Sequence, residues 1–333
     1  MVQILRAASS ADLLAVIPRL AGFQPEKSIV VVPFVETRTR GVMRFDLPER
    51  PNIDQINLMA EYLLRVPDVT GAIVIVYTDG DPKDSEVIAT LLAARLDEQG
   101  IPVAEALYVT GDSWGDYFRP AEAAQPAAWI SASEHADPAV PAQSQAHTLP
   151  ARDEVAAAGI AGCLGDFASV TFDPLKAIER ATDTTPEELR SAHAAQLLAV
   201  LVRPMLRDVA LIQWARDTEH GAAALATQVQ YHLTSQVDAD VAETLLGRGE
   251  RPNVARLESA LAICRHLAAN TADVHAAAAL ISAGWIAWAL GRSSEAHVYV
   301  ERATAIDPDL SFAGLMTKVL DAAMLPEWAF NRR

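Results

Sequence analysis

Two periodicities divide the chain. Up to about residue 110, short β-branched apolar runs alternate with segments of helical period; beyond residue 185 the helical period stands alone. Leu13, Leu14, Ile17 and Leu20 lie on one helical stripe. Ser9 stands at the cap with Asp12 three residues on, and Gly22 followed by Pro25 supplies a stop. The spacing predicts a helix over 9–22, interrupted or shortened at Pro18. Residues 28–34 (SIVVVPF) read as a buried strand, and 39–47 (TRGVMRFDL) alternate enough to pair with it as a hairpin across 36–38. Asn52 opens a helix to about Arg65 with Gln55 in the reciprocal cap position. Residues 72–78 (AIVIVYT) are continuously apolar, as in a strand covered on both faces. Asp81-Pro82 opens a helix that stops at Gly100, and 103–110 form the next strand. Strand, helix, strand is a βαβ unit with parallel strands and a right-handed crossover.

Residues 119–150 break this rhythm with prolines at 120, 126, 138, 141 and 150 among Ala, Ser and Gln. A loop of that length is either mobile or functional; Trp129-Ile130 read as a short strand inside it. Residues 152–162 read as a helix, 168–172 as a strand, and a further short helix follows. Thr185-Pro186 with Glu188 reads as a helix start. Helices are predicted at about 186–216 (kinked at Pro204), 220–234, 237–247, 253–269, 273–290, 294–305 and 310–324. The expected fold is an α/β N-terminal domain with a mixed, partly parallel sheet over residues 1–182. An all-α C-terminal domain with helical-hairpin, repeat-like packing is expected over 183–333.

Composition narrows the function classes. Of the 333 residues 51% are hydrophobic and 21% charged, which excludes a disordered chain. The formal charge is −16, and no local basic patch offsets it, so nucleic acid is not an expected partner. Residues 1–170 carry 12 basic and 23 acidic side chains, a net −11, so the acidity sits mainly on the α/β part. Cys163 and Cys264 are too few for a disulfide framework and form no Cys-x-x-Cys zinc pair. Arg6, Asp12 and Arg19 leave no apolar signal-peptide core. The most apolar run, 197–206, is broken by Arg203 and Pro204 and too short to span a bilayer. These features predict a cytoplasmic protein that does not enter membranes.

Candidate chemistry is sparse. Gly111-Asp112-Ser113-Trp114-Gly115 follows a predicted strand and matches the nucleophile-elbow pattern, making Ser113 a candidate catalytic serine. An elbow must feed a helix that helps hold an oxyanion; residues 116–120 are a poor helix, and a turn into a hairpin accounts for the same letters. Thr78-Asp79-Gly80-Asp81 lies at the carboxyl end of a parallel strand, where open α/β sheets bind ligands. Asp79 is therefore a candidate for a ligand or for metal-assisted hydrolysis, while Asp81 is explained as a cap. No phosphate loop or Gly-x-Gly-x-x-Gly is present, and no cofactor is implied. The histidines lack zinc spacing, so no metal ligands are assigned. Arg44 and Asp46 alternate with Met43 and Phe45 and face away from the predicted core, where they would line a cleft. With Asp79, Asp112 and Trp114 they make up the candidate ligand-binding set. Trp285 and Trp288, three apart, read as core residues.

Residues 277–310 fit one 34-residue helix-turn-helix repeat of the tetratricopeptide type. Gly284 takes the small position at the helix crossing, Gly291 the turn, Ala296 and Ala303 the small contacts, and Pro308 the end. Residues 243–276 are at best a degenerate copy, and a solenoid needs about three repeats.

The segments LLAVIPRLAGFQPEKSIVVV and GVMRFDLP resemble an actinobacterial family known as domain of unknown function 4192. Pro18, Leu20, Gly22, Phe23, Pro25 and Ser28 match its leading motif; Arg44, Asp46, Leu47 and Pro48 match its second. Gly291, Ala303 and Asp307-Pro308 resemble the family's end, so the resemblance runs over nearly the whole chain. That family pattern often carries a cysteine in the hairpin after Trp114, and its absence here speaks against a thiol-based function. The resemblance implies a fold and no activity. The leading expectation is a non-catalytic binding or regulatory module acting on a protein partner, on itself or on a small ligand. The alternative is an enzyme at the carboxyl edge of the sheet, through Ser113 or a metal at Asp79.

Overall fold

The computed structural model describes residues 7–39, 41–165, 171–234 and 243–330. The chain divides into two compact units, residues 1–146 and 147–333.

The first unit is an α/β domain with a mixed sheet. Helix α1 (Ser10–Ala21) starts at Ser9, whose side chain accepts the Asp12 N–H. A serine cap of this kind is worth about 1 kcal/mol. Gly22 closes the helix at φ 83°, donating its N–H to the Pro18 carbonyl. Pro18 itself sits inside the last turn rather than ending the helix early. Strand β1 (Ser28–Val35) is buried over its first six residues. It pairs antiparallel with β2 (Arg38–Thr39) and β3 (Met43–Asp46) on one side and with β4 (Gly71–Tyr77) on the other. Between β3 and β4 lies α2 (Ile53–Leu64), capped by Asn52 through the Asp54 and Gln55 amides. Helix α3 (Pro82–Glu98), capped by Asp81, crosses over to β5 (Val103–Val109), which runs parallel to β4. Strands β6 (Ser113–Asp116) and β7 (Gln125–Pro126) extend the sheet antiparallel.

Alternation along these strands gives the sheet an apolar core on each face. Ile29, Val31, Val74 and Val76 pack against Ile56, Met59, Leu63, Ile88 and Leu92 of α2 and α3. Val30, Val32, Ile75, Tyr77 and Leu107 pack against Leu13, Leu14 and Ile17 of α1. The segment after β6 is more ordered than its proline content suggests. Trp129-Ile130 belong to a short helix, α4 (Ala128–Ser131), not a strand, and Ile130 packs against the α1-side core. A second short helix, α5 (Gln143–Ala146), follows.

The second unit is all-helical in its described residues. It contains α6 (Glu154–Gly165), α7 (Pro174–Arg180), α8 (Ser191–Leu201), α9 (Pro204–Ala215), α10 (Thr218–Thr234), α11 (Val254–Asn270), α12 (Asp273–Ala289), α13 (Ser293–Ile306) and α14 (Ser311–Asp321). Helices α6 and α7, expected before a boundary at residue 182, bury Ile160 and Ile178 in the helical core and belong to this unit. Thr185-Pro186 does not start a helix: Glu188 accepts the Thr185 N–H, but helical structure begins at Ser191. The predicted kink at Pro204 is a full break, with Pro204 opening α9. Most of the strand predicted at 168–172 and most of the helix predicted at 237–247 lie outside the described residues; residues 171–172 are not in a strand.

Helices α12 and α13 pack on each other across a short turn. A Cβ on Gly284 would meet Val300 Cγ2 at 2.9 Å, so the glycine permits the close crossing. Gly291 turns the chain at φ 81°. Ala296 and Ala303 are fully buried. Trp285 and Trp288 sit in the core as expected, and their indole N–H groups donate to the Leu245 and Met324 carbonyls.

Candidate functional site

Sheet register collects the chemistry. Asp46 lies opposite Ser28, Ser28 opposite Tyr77, Tyr77 opposite Val109, and Val109 opposite Trp114. Directly paired residues project from the same face, so these five form one row across the sheet on the α1 side. Arg44, two residues from Asp46, shares that face. Because β1 runs antiparallel to both β3 and β4, its first residue meets the carboxyl ends of β3 and β4. Asp79 follows β4 and Asp112 follows β5 at that same end. The candidate residues Arg44, Asp46, Asp79, Asp112 and Trp114 therefore all lie at one end of the sheet, although they come from three separate segments. The face bearing Arg44 and Asp46 is not opposite a single core, because the sheet has a core on both sides.

Arg44 is held from below. Its Nε donates to Ser28 Oγ at 2.8 Å, and Ser28 is completely buried. The Ser28 hydroxyl contacts the Glu26 carbonyl at 2.6 Å and Gln143 Oε1 at 3.2 Å. Gln143 Oε1 also accepts the Glu26 N–H, while Gln24 pairs through its backbone with Pro141 and Gln143. The proline-rich segment thus closes this end of β1. Above, Arg44 Nη2 meets Asp46 Oδ1 at 2.5 Å; the arginine side chain is only 10% exposed, its carboxylate partner 87%. Asp79 pairs with Lys27 at 3.1 Å on the surface, and this hydrogen bond holds its carboxyl below the ordinary range. Asp112 accepts the Thr110 hydroxyl in the turn after β5.

Two polar atoms in the row have no protein partner. Tyr77 Oη and Trp114 Nε1 are both buried without a hydrogen bond. Tyr77 as a whole is 8% exposed, and burial pushes its hydroxyl pKa upward. Several other aromatic donors among the described residues are satisfied. Tyr117 donates to the Pro82 carbonyl and Tyr299 to Glu295. Trp214, Trp285, Trp288 and Trp328 each donate to a backbone carbonyl. Unsatisfied buried donors are rare in folded proteins and each calls for an explanation.

Ser113 sits in a different geometry from the one its motif suggests. The chain passes from strand β5 through Gly111-Asp112 into strand β6, with Thr110 N–H donating to the Ser113 carbonyl at 2.7 Å. A nucleophile elbow delivers its serine at a strand-to-helix turn; here the turn joins two strands, and the Ser113 hydroxyl lies 2.9 Å from Thr110 Oγ1. Gly115 has a packing role. A Cβ there would stand 2.5 Å from the Tyr108 hydroxyl, which lies over it. Among the described residues, no three His, Cys, Asp or Glu side chains are grouped to hold a metal ion. No helix among them is long and apolar enough to cross a membrane.

The sequence pattern missed Ser28, Tyr77 and Gln143. The first two had a signal: each is a polar-tipped residue at the end of an otherwise apolar strand. Gln143 had none, since only the fold brings it to β1.

The fold and this row define an α/β domain with a polar, partly buried face at the carboxyl ends of its parallel strands, followed by an all-helical unit. Residues 11–162, just under half of the chain, match the family model described as Domain of unknown function (DUF4192). No curated protein and no solved structure matches the chain.

Proposed function

We propose that the first unit is a non-catalytic binding module for a small polar ligand, seated over Arg44, Ser28, Tyr77 and Trp114. The observation that carries this reading is the pair of buried donors, Tyr77 Oη and Trp114 Nε1, left without partners in a chain that satisfies its other buried indoles. Leaving a buried donor unpaired costs about 1–3 kcal/mol, a penalty that an acceptor on a ligand removes. Asp46, Asp79 and Asp112 form the rim. The strand-to-strand turn at Ser113 and the ion pair on Asp79 favour binding over hydrolysis. A thermal-shift panel of small polar solutes on the full chain tests the reading. A class of solute that raises the melting temperature of the wild type, and not of Tyr77→Phe or Trp114→Phe, supports it. No shift with any class, or a shift that both variants retain, overturns it.

For the helical unit the proposed role is contact with a protein partner or with a second copy of the chain. The close crossing at Gly284 and the turn at Gly291 support packing of the tetratricopeptide type. Light scattering after size exclusion, with and without lysate-captured partners, tests that role; a strict monomer that retains nothing refutes it.

A further inference from the structure

The charges around the row specify which kind of small ligand fits it. This inference rests on the binding role proposed above. Arg44 is mostly shielded from water, always cationic and held by its Nε–Ser28 bond, so its guanidinium is oriented before anything binds. Its acidic partner is of the opposite kind: Asp46 is almost fully in water. Asp46 reaches the guanidinium from the solvent side, where another carboxylate can exchange with it. The exchange leaves Asp46 unpaired beside the newcomer, ready to take a cation. A bare anion would meet the net −9 of residues 1–146, which hold 11 basic and 20 acidic side chains, and the acidic rim at Asp79 and Asp112. A bare cation would leave Tyr77 and Trp114 unsatisfied, because an indole N–H only donates.

We propose that the site binds a small zwitterion of the α-amino-acid type. Its carboxylate takes Arg44 from Asp46, its ammonium takes Asp46, and an oxygen in its body accepts from Tyr77. Four alternating charges then replace two, with no change in net charge. Trp114, about two strand spacings or ~10 Å beyond Tyr77, donates its indole N–H to an oxygen at the ligand's far end.

The test uses the full chain labelled with nitrogen-15, following the indole N–H resonance of Trp114, identified by its loss in Trp114→Phe. The probes are the common amino acids, their N-acetyl derivatives and their carboxamides. The expected result is that at least one free amino acid shifts the resonance saturably, while its N-acetyl and carboxamide forms bind at least about tenfold more weakly. Arg44→Lys, which keeps the charge and loses the fork, weakens the free amino acid by a similar factor. Asp46→Asn, an exposed change that leaves the fold intact, brings the free and N-acetyl forms to within about twofold of each other. If blocked forms bind as well as free ones, the zwitterion is refuted and the binding site stands. If no probe of any charge moves Trp114, and the solute panel also fails, both fall.

Discussion

Tyr77 and Tyr117 form a controlled pair. Both belong to the first unit, and burial pushes both hydroxyls upward. They differ in that Tyr117 donates to the Pro82 carbonyl at 2.8 Å and Tyr77 to no protein atom. Replacing each by phenylalanine removes one oxygen and little else. At Tyr117 the change deletes a satisfied bond and destabilises the free protein by about 0.5–1.5 kcal/mol. At Tyr77 it deletes an orphan and relieves a desolvation penalty of about 1–3 kcal/mol, so the variant is more stable than wild type. The two variants are expected to differ by about 1.5–4.5 kcal/mol, with opposite signs relative to the parent. Native-state hydrogen exchange at the β1 and β4 amides, in ligand-free protein, reads the first unit without interference from the second. If Tyr77→Phe destabilises those amides as much as Tyr117→Phe does, the hydroxyl is already satisfied, and the principal support for the ligand site is gone.

Other outcomes follow from the same reasoning. Gly247 and Gly249 have nearly equal φ, 78° and 83°, but a Cβ at 247 would meet Trp288 at 2.4 Å and Pro326 at 2.9 Å while one at 249 meets nothing. Gly249→Ala should therefore cost only the left-handed backbone, about 1–2 kcal/mol, and Gly247→Ala a further 1–3, measured by urea unfolding of the helical unit. Glu179 is clamped by both Arg256 nitrogens and by Gln213, and the Arg256 hydrogen bonds hold its carboxyl at about 2 against an ordinary 4.5. Its stabilising contribution is full above pH 4.5 and is lost as the pH falls toward 2, so Glu179→Gln should flatten the acid limb of the melting curve in that window. A fluorophosphonate probe should leave Ser113 unlabelled under conditions that label a serine hydrolase; stoichiometric labelling would restore the hydrolase reading.

Much of the first unit was legible because local chemistry and tertiary role coincide there. Ser9, Asn52 and Asp81 cap the helices their side chains suggested, and the apolar run at 71–77 is a central strand. The failures have physical causes. Trp129-Ile130 suit a strand by β-propensity, but a single turn of helix packs a partly buried Ile130 against the α1-side core, and two residues carry no period. The boundary expected at 182 fell between helices whose apolar faces point into one core, a fact of packing that no composition shift marks. Arg44, Asp46, Asp79, Asp112 and Trp114 were each recognisable as polar residues near strand ends. That they share one end of one sheet depends on β1 running against both β3 and β4, and pairing direction is not written in any single segment.

The bonds from Glu26 and Ser28 to Gln143 span 117 and 115 residues of chain. Contacts of such sequence separation carry a large loop-closure entropy and tend to form after the local hairpin and crossover are in place. The support beneath Arg44 therefore cannot exist until residue 143 has left the ribosome and returned to the first strand of the sheet. A ligand recognising the completed row would act on a contact absent from the folding transition state. It would slow unfolding and leave the folding rate nearly unchanged.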